Sequence, residues 1–87
     1  MFIYDKKLYE DKGIALFFKD ELIEALEYMA IGYIQEDNKF ESAYNIASCL
    51  EKMGRNVDAK YFYNIALDDC SNDKDKEIIK NILSEMA

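Results

Sequence analysis

Two segments of the chain carry apolar or small residues at the same helical spacing. The spacing is i, i+3, i+4, i+7, i+8 and i+11, which aligns six side chains along one stripe of an α-helix. The first segment has this spacing at Leu22, Ala25, Leu26, Met29, Ala30 and Tyr33. The second has it at Ala59, Phe62, Tyr63, Ala66, Leu67 and Cys70. We therefore expect two helices of equal length, each burying one face.

Shorter stripes of the same kind predict three further helices. They lie at Tyr9, Gly13 and Leu16, then at Ala43, Ile46, Ala47 and Leu50, and finally at Ile79, Ile82, Leu83 and Met86. Proline is absent and glycine occurs three times, so residues that break helices are scarce. The sequence predicts an all-α fold with about five helices.

Several residues have the chemistry of helix ends. Asn38, followed three residues later by Glu41, resembles a capping box, and Asp20 and Asn56 are suitable N-caps for the second and fourth helices. Gly54 is expected to end the third helix, because glycine adopts the left-handed conformation without a steric penalty. Connections this short make neighbouring helices antiparallel.

The two halves of the chain align without a gap when Lys6–Lys39 is placed above Phe40–Asp73. This offset of thirty-four residues is the period of the tetratricopeptide repeat (TPR). The first helices match the pattern of that family at Tyr9, Gly13 and Leu16, and at Ala43, Ala47 and Leu50. The second helices match it at Ala25, Met29 and Gly32, and at Ala59, Tyr63 and Ala66. The chain thus resembles the TPR family.

The resemblance implies antiparallel helix pairs stacked as a short TPR-like α-solenoid. It divides a single domain, residues 1–87, into repeat one at 6–39, repeat two at 40–73 and a capping helix at about 75–87. The capping helix continues the period if the loop before it holds about two extra residues. Departures from the family are Lys12 at a usually apolar position, Asp20 in place of a turn glycine, and the missing repeat-end proline. A plain helical bundle is the competing architecture.

In the TPR family, the first helix of each repeat lines a concave groove that holds an extended peptide or a helix of a partner. Carried over by position, the groove residues are Lys7, Glu10, Ile14, Phe17, Phe18, Glu41, Tyr44, Asn45, Ser48, Glu51 and Lys52. Aromatic and acidic side chains together suit a partner with apolar and basic residues. An alternative is that Phe17 or Phe18 caps the core instead.

One TPR subclass grips the acidic carboxyl terminus of heat-shock chaperones through a cluster of Lys, Asn and Arg. Only Asn45 matches that cluster here. We therefore expect that acidic peptide tails do not bind this groove.

The net charge of −7 disfavours a phosphate backbone and an anionic lipid surface as partners, so we expect neither nucleic acid nor membrane binding. The longest apolar run, Ile14–Phe18, is too short to cross a bilayer. The first residues lack the features of a secretory signal, which favours the cytoplasm.

We also find no sequence pattern for catalysis or for cofactor binding. Histidine is absent, no glycine-rich loop occurs, and Cys49 and Cys70 lack the spacing of a metal or redox site. We expect no enzyme, no cofactor, and two buried thiols.

The expected function is therefore that of a protein-protein interaction module of the adaptor, co-chaperone or scaffold type. A small acidic inhibitor, or a decoy that imitates nucleic acid and blocks a basic groove on another protein, is the alternative. Homodimerisation is a further use of exposed apolar residues. The candidates for it are Ile23, Ile31, Ile34, Tyr61 and Ile65, with the apolar arm Met1–Tyr4.

Overall fold

A computed structural model describes residues 6–86 of the chain, with side chains described from residue 8 onward. The helices are α1 (Lys6–Phe18), α2 (Leu22–Gln35), α3 (Phe40–Lys52), α4 (Asn56–Asp69) and α5 (Asp73–Glu85). The prediction of an all-α fold with about five helices is confirmed. None of the described helices has the length and apolar character needed to cross a membrane. The predicted arm Met1–Tyr4 and the side chain of Lys7 lie outside this description.

The helix pair α1–α2 and the helix pair α3–α4 have the same design. Helices α1 and α3 are both 13 residues long, and α2 and α4 are both 14 residues long. Each helix of the second pair begins thirty-four residues after its counterpart. The residues before α2 and α4 also share a backbone conformation, with φ −91° and ψ 71° at Glu21 and φ −94° and ψ 69° at Arg55.

Each helix packs against the next one in the chain, and α1 also packs against α3. The helices of each pair are antiparallel because a short turn joins them, and the ring of Tyr9 near the start of α1 lies 6.1 Å from that of Tyr28 in the middle of α2. Cys49 near the end of α3 likewise donates through Sγ to the Leu22 carbonyl at the start of α2, at 3.2 Å. Helices α1 and α3 therefore lie side by side in one layer, and α2 and α4 cover their other side.

Small residues allow the helices to approach closely. Five alanines of the core are fully buried: Ala25, Ala43, Ala47, Ala59 and Ala66. A methyl group placed on Gly13 would lie 3.1 Å from Met29 Cγ and 3.5 Å from the Ala25 carbonyl oxygen, so this glycine brings α1 close to α2. Between the small residues, Met29 and Tyr63 fill the space and are only 5% and 2% exposed.

The turns within the two helix pairs share a left-handed residue. Gly54 has φ 80° and Asp20 has φ 65°. The following backbone N–H reaches back in both turns, from Glu21 to Leu16 O at 3.0 Å and from Arg55 to Leu50 O at 2.9 Å. The prediction for Gly54 is confirmed. The prediction of Asp20 as an N-cap is wrong, because Asp20 takes the turn position and Glu21 precedes α2.

The other predicted caps also differ from the structure. Asn56 is the first residue of α4, and the N-cap residue Arg55 makes no capping hydrogen bond with its side chain. Asn38 stands one residue too early for a capping box, and its Oδ1 accepts from Phe40 N at 2.9 Å. The start of α3 is instead held by Asp69, whose Oδ2 accepts from Lys39 N at 2.7 Å. An asparagine does cap α5, since Asn72 accepts from the backbone N–H three residues on.

Helix α5 begins at Asp73, whereas the sequence predicts a start at about residue 75. The linker before α5 holds residues 70–72, which is one residue fewer than the linker before α3. The sequence predicts two extra residues in the linker before α5, so this prediction is wrong. Helix α5 consequently lies thirty-three residues after α3. In this register Ile79, Leu83 and Met86 take the positions of Ile46, Leu50 and Met53. Ile79 is 1% exposed, so α5 contributes to the core.

Candidate functional site

A groove runs along the face formed by α1, α3 and α5. Its central hollow has a volume of about 360 Å³ and is lined by Glu10, Ile14, Phe40, Glu41, Tyr44, Asn45, Asp75 and Ile78. An aromatic hollow of about 250 Å³ is lined by Ile14, Phe17, Phe18, Met29, Tyr44, Asn45 and Ser48. The two hollows share Ile14, Tyr44 and Asn45, so they form one continuous concave surface.

Most of the residues predicted for a groove do line it. Those in contact with the two hollows are Glu10, Ile14, Phe17, Phe18, Glu41, Tyr44, Asn45 and Ser48. Helices α1 and α3 bring them together because both helices turn the same face outward, one period apart. Of the other predicted residues, Glu51 and Lys52 lie beside the groove without lining either hollow, and the side chain of Lys7 lies outside the described residues.

Glu51 and Ser48 contact the hydroxyl of Tyr63, whose ring packs against Tyr44 of the groove. Tyr63 Oη donates to Glu51 Oε1 at 2.7 Å, and Ser48 Oγ lies 3.2 Å from the same hydroxyl. Tyr44 packs edge-on against Tyr63, with ring centroids 5.7 Å apart. Burial raises the pKa of Tyr63 to about 12, and the charge of Glu51 acts in the same direction while the Ser48 hydrogen bond opposes it. The phenol therefore stays neutral, and its ring packs against Tyr44 of the groove.

Lys52 joins α3 to the end of α1. Its Nζ lies 4.7 Å from the centroid of the Phe17 ring and 3.4 Å from Asp20 Oδ1. Phe17 is partly buried and packs against the core, whereas Phe18 is 77% exposed. The two rings meet edge to face at 5.4 Å. Phe17 thus caps the core, as the alternative proposed, and Phe18 presents its ring to solvent beside the groove.

A third hollow adjoins the central one at the start of α3. This acidic hollow has a volume of about 210 Å³ and is lined by Glu10, Glu36, Asn38, Phe40, Glu41 and Ser42. Ser42 is only 5% exposed, and its Oγ has no hydrogen-bond partner among the described residues. A buried hydroxyl without a partner is unusual, because losing its hydration costs free energy.

The sequence prediction missed several groove residues. Phe40, Asp75 and Ile78 line the central hollow, Met29 lines the aromatic one, and Glu36, Asn38 and Ser42 line the acidic one. Asp75 and Ile78 were within reach of sequence reasoning. Aligning Ile79 and Leu83 with Ile46 and Leu50 sets α5 in its observed register. In that register, Asp75 and Ile78 face the groove.

The opposite face, formed by α2 and α4, also has exposed apolar residues. A hollow of about 360 Å³ lies there, lined by Leu26, Ala30, Tyr33, Ile34, Ile46, Leu50, Arg55, Asp58 and Phe62. Ile23, Ile34 and Tyr61 are 69%, 75% and 65% exposed, while Ile31 and Ile65 are partly buried. The charges in the hollow balance, since Arg55 Nη2 lies 2.7 Å from Asp58 Oδ2.

The two cysteines are free and buried, as predicted. The Cys49 thiol bridges α3 and α2 through its hydrogen bond to the Leu22 carbonyl. Burial raises the pKa of Cys49, with Lys52 opposing the shift, so the thiol remains protonated. Within residues 6–86 no cluster of three or more His, Cys, Asp or Glu side chains is placed to hold a metal ion.

Comparison with protein-family models, with curated proteins and with solved structures gives no match. The resemblance to the TPR family therefore stays a prediction that rests on the residues quoted above.

Proposed function

We propose that the chain is a short TPR-like interaction module of the adaptor, co-chaperone or scaffold type. It holds a peptide or helix of another protein in the groove of α1, α3 and α5 and performs no catalysis. The repeated helix pair supports the family, because the bounds and turn conformations recur at an offset of thirty-four residues. Such grooves act by binding, and their side chains determine what is bound.

The observation that carries the proposal is the continuity of the groove across three helices. Its apolar residues are incompletely covered: Ile14 is 38%, Phe18 77% and Ile78 45% exposed. A partner that covers them removes apolar surface from water, which stabilises the complex by about 25 cal/mol per Å² before the costs of association. Glu41 and Asp75 beside these residues favour a partner that also has Lys or Arg.

The test is affinity capture from the native cell extract at low and at high salt. Phe18→Ala removes an exposed groove ring at little cost to the core, whereas Phe17→Ala would disturb the packing of α1. Val57→Ala is the matched control, since Val57 is 83% exposed on α4, away from the groove. We expect a partner that persists at high salt, is lost with Phe18→Ala and is retained with Val57→Ala. Equal capture by both variants would refute groove binding.

The salt dependence separates this proposal from the acidic decoy. A decoy attracts a basic surface through charge alone, and such attraction is screened as ionic strength rises. A partner lost completely at high salt and unaffected by Phe18→Ala would support the decoy.

A second copy of the chain is a second candidate partner, favoured by the exposed apolar residues Ile23, Ile34 and Tyr61 on α2 and α4. That face lies opposite the groove, so dimerisation there and groove binding are compatible.

A further inference from the structure

The two ends of the groove differ in charge. At the acidic end, the carboxylates of Glu10, Glu36, Glu41 and Asp75 line the central and acidic hollows, and no Lys or Arg is among the described residues that line them. At the other end, none of the described residues that line the aromatic hollow is charged. A bound segment therefore meets carboxylates at one end and apolar rings at the other.

Two of these carboxylates have no cation nearby. Among the described residues, neither Glu41 nor Asp75 forms a salt bridge with a Lys or Arg, whereas Asp20 pairs with Lys52 and Asp58 pairs with Arg55. Both stand in the first turn of a helix, α3 and α5 respectively. Each helix N-terminus contributes about +0.5 of an elementary charge, which offsets only half of one carboxylate. The charge of these two carboxylates is thus only partly offset by the helix ends.

Ser42 gives an independent indication of a ligand. Ser42 lines the acidic hollow and is only 5% exposed. Its Oγ has no hydrogen-bond partner among the described residues. A hydroxyl oxygen accepts hydrogen bonds, and an ammonium group has three N–H donors to share between it and the carboxylates. A Lys or Arg side chain in the acidic hollow would meet Glu41 and Ser42, which both line it, and Asp75 lines the adjoining central hollow together with Glu41.

The other end disfavours a cation. Lys52 stands over Phe17 with its Nζ 4.7 Å from the ring centroid, so a positive charge already lies beside the aromatic hollow. No described carboxylate lines this hollow to receive a second cation, while an apolar side chain would contact Ile14, Phe18 and Met29. The charge distribution therefore fixes which end of the groove receives the basic side chain.

The distance between the two ends follows from helix geometry. Glu10 and Phe17 are seven residues apart on α1, which corresponds to about 10 Å along the helix axis. In a polyproline II segment, side chains three residues apart lie on one face and are separated by about 9 Å. A basic and an apolar residue at that spacing would reach both ends at once.

Building on the proposed function, we propose that the groove recognises a partner segment with a Lys or Arg and a large apolar residue on one face, about 10 Å apart. The basic side chain binds beside Glu41, where the central hollow with Asp75 adjoins the acidic hollow with Ser42, and the apolar side chain covers Ile14 and Phe18. Charge complementarity at one end and apolar burial at the other select this segment against acidic or uncharged ones.

Blocked synthetic peptides test the proposal directly. The probes are Phe-Pro-Pro-Lys and its reverse Lys-Pro-Pro-Phe, which cover both chain directions, with the Gln-for-Lys version of each as a neutral control. Each is titrated into the isotope-labelled chain at low salt and followed by NMR chemical shifts. We expect the better Lys peptide to bind about three- to tenfold more tightly than its Gln control, since two or three surface charge contacts differ. Shifts should appear at Ile14, Phe18 and Glu41.

Variants of the chain separate the two ends. Glu41→Gln with Asp75→Asn should remove the preference for Lys and leave the Gln peptide unchanged, and Ser42→Ala should reduce that preference without loss of fold. Equal binding of Lys and Gln peptides, with shifts at Ile14 and Phe18, would overturn the charge selection and leave groove binding intact. Peptides that shift no groove residue at millimolar concentration would overturn both.

Discussion

Replacement of Ser42 by alanine should stabilise the protein, which is unusual for a change in a buried position. The Ser42 side chain is 5% exposed, and its Oγ lacks a hydrogen-bond partner among the described residues. The folded state therefore bears the cost of a dehydrated hydroxyl that water satisfies in the unfolded chain. Alanine removes that cost and leaves no large cavity, because only one oxygen atom is lost.

The expected gain has two parts. An unsatisfied buried polar group costs about 1–3 kcal/mol, and part of this cost is returned when the group is removed. Alanine is also the better helix former by about 0.5 kcal/mol. We expect the free energy of unfolding to rise by about 1–2 kcal/mol, and the melting temperature to rise by about 4–8 °C per kcal/mol for a domain of this size.

Ser48→Ala provides a matched control in the same helix. Ser48 Oγ donates to the Tyr44 carbonyl at 3.0 Å and lies 3.2 Å from Tyr63 Oη. Its removal costs about 0.5–1.5 kcal/mol of hydrogen bonding, which the gain in helix propensity only partly offsets. Urea unfolding followed by circular dichroism measures both variants under the same conditions.

The two serine variants should thus differ in sign or at least by about 1 kcal/mol. A loss of stability in Ser42→Ala would mean that Oγ has a partner in the folded protein. The acidic hollow would then lose the observation that links it to a ligand, and the charge selection would rest on the carboxylates alone.

Three further outcomes are expected. Gly54→Ala should lower the free energy of unfolding in urea by about 1 kcal/mol, because φ is 80° and a Cβ there meets no atom within 4 Å, which leaves backbone strain as the cause. Gly54→Asn should lower it less, and equal losses in the two variants would contradict a backbone origin. The pKa of Tyr63 rises from 10.0 to about 12 in the folded state, so its contribution to stability is complete below pH 10 and is lost as the pH rises toward 12; Tyr63→Phe should lack this slope in pH-dependent unfolding. If two copies associate through the α2–α4 face, Ile34→Glu should give a monomer by light scattering, and a wild-type monomer at micromolar concentration would refute dimerisation.

The helices and their repeat could be predicted because they depend on local patterns. Stripes of apolar residues locate the five helices, and the small residues Ala25 and Ala59 mark equivalent crossings one period apart. Gly54 suits one role, the left-handed residue that ends a helix, and the structure confirms that role. Asp20 suits two roles, since aspartate caps helices and also tolerates the left-handed conformation. Sequence chemistry alone does not choose between them, and the prediction of Asp20 as an N-cap was wrong.

The caps of α3 and α5 depend on linker length. Asn38 and Asn72 are thirty-four residues apart, yet only Asn72 directly precedes its helix, because the linker before α5 is one residue shorter. Asn38 accepts from the backbone N–H of Phe40, two residues on, and Asp69 of α4 accepts from the backbone N–H of Lys39 at the start of α3. A bond of this kind between distant segments has no signature in the local sequence.

The same one-residue difference determines the charge of the groove. In the observed register, Asp75 and Ile78 stand where α3 has Ser42 and Asn45. With a linker of full length, those places would fall to Lys76 and Ile79. An ammonium group would then face Glu41 in place of a second carboxylate, and Ile79 would leave the core, where it is 1% exposed. Burial of Ile79 therefore selects the register, and the register turns Asp75 toward the groove. The repeated geometry sets the course of the groove, while the short linker makes its end acidic.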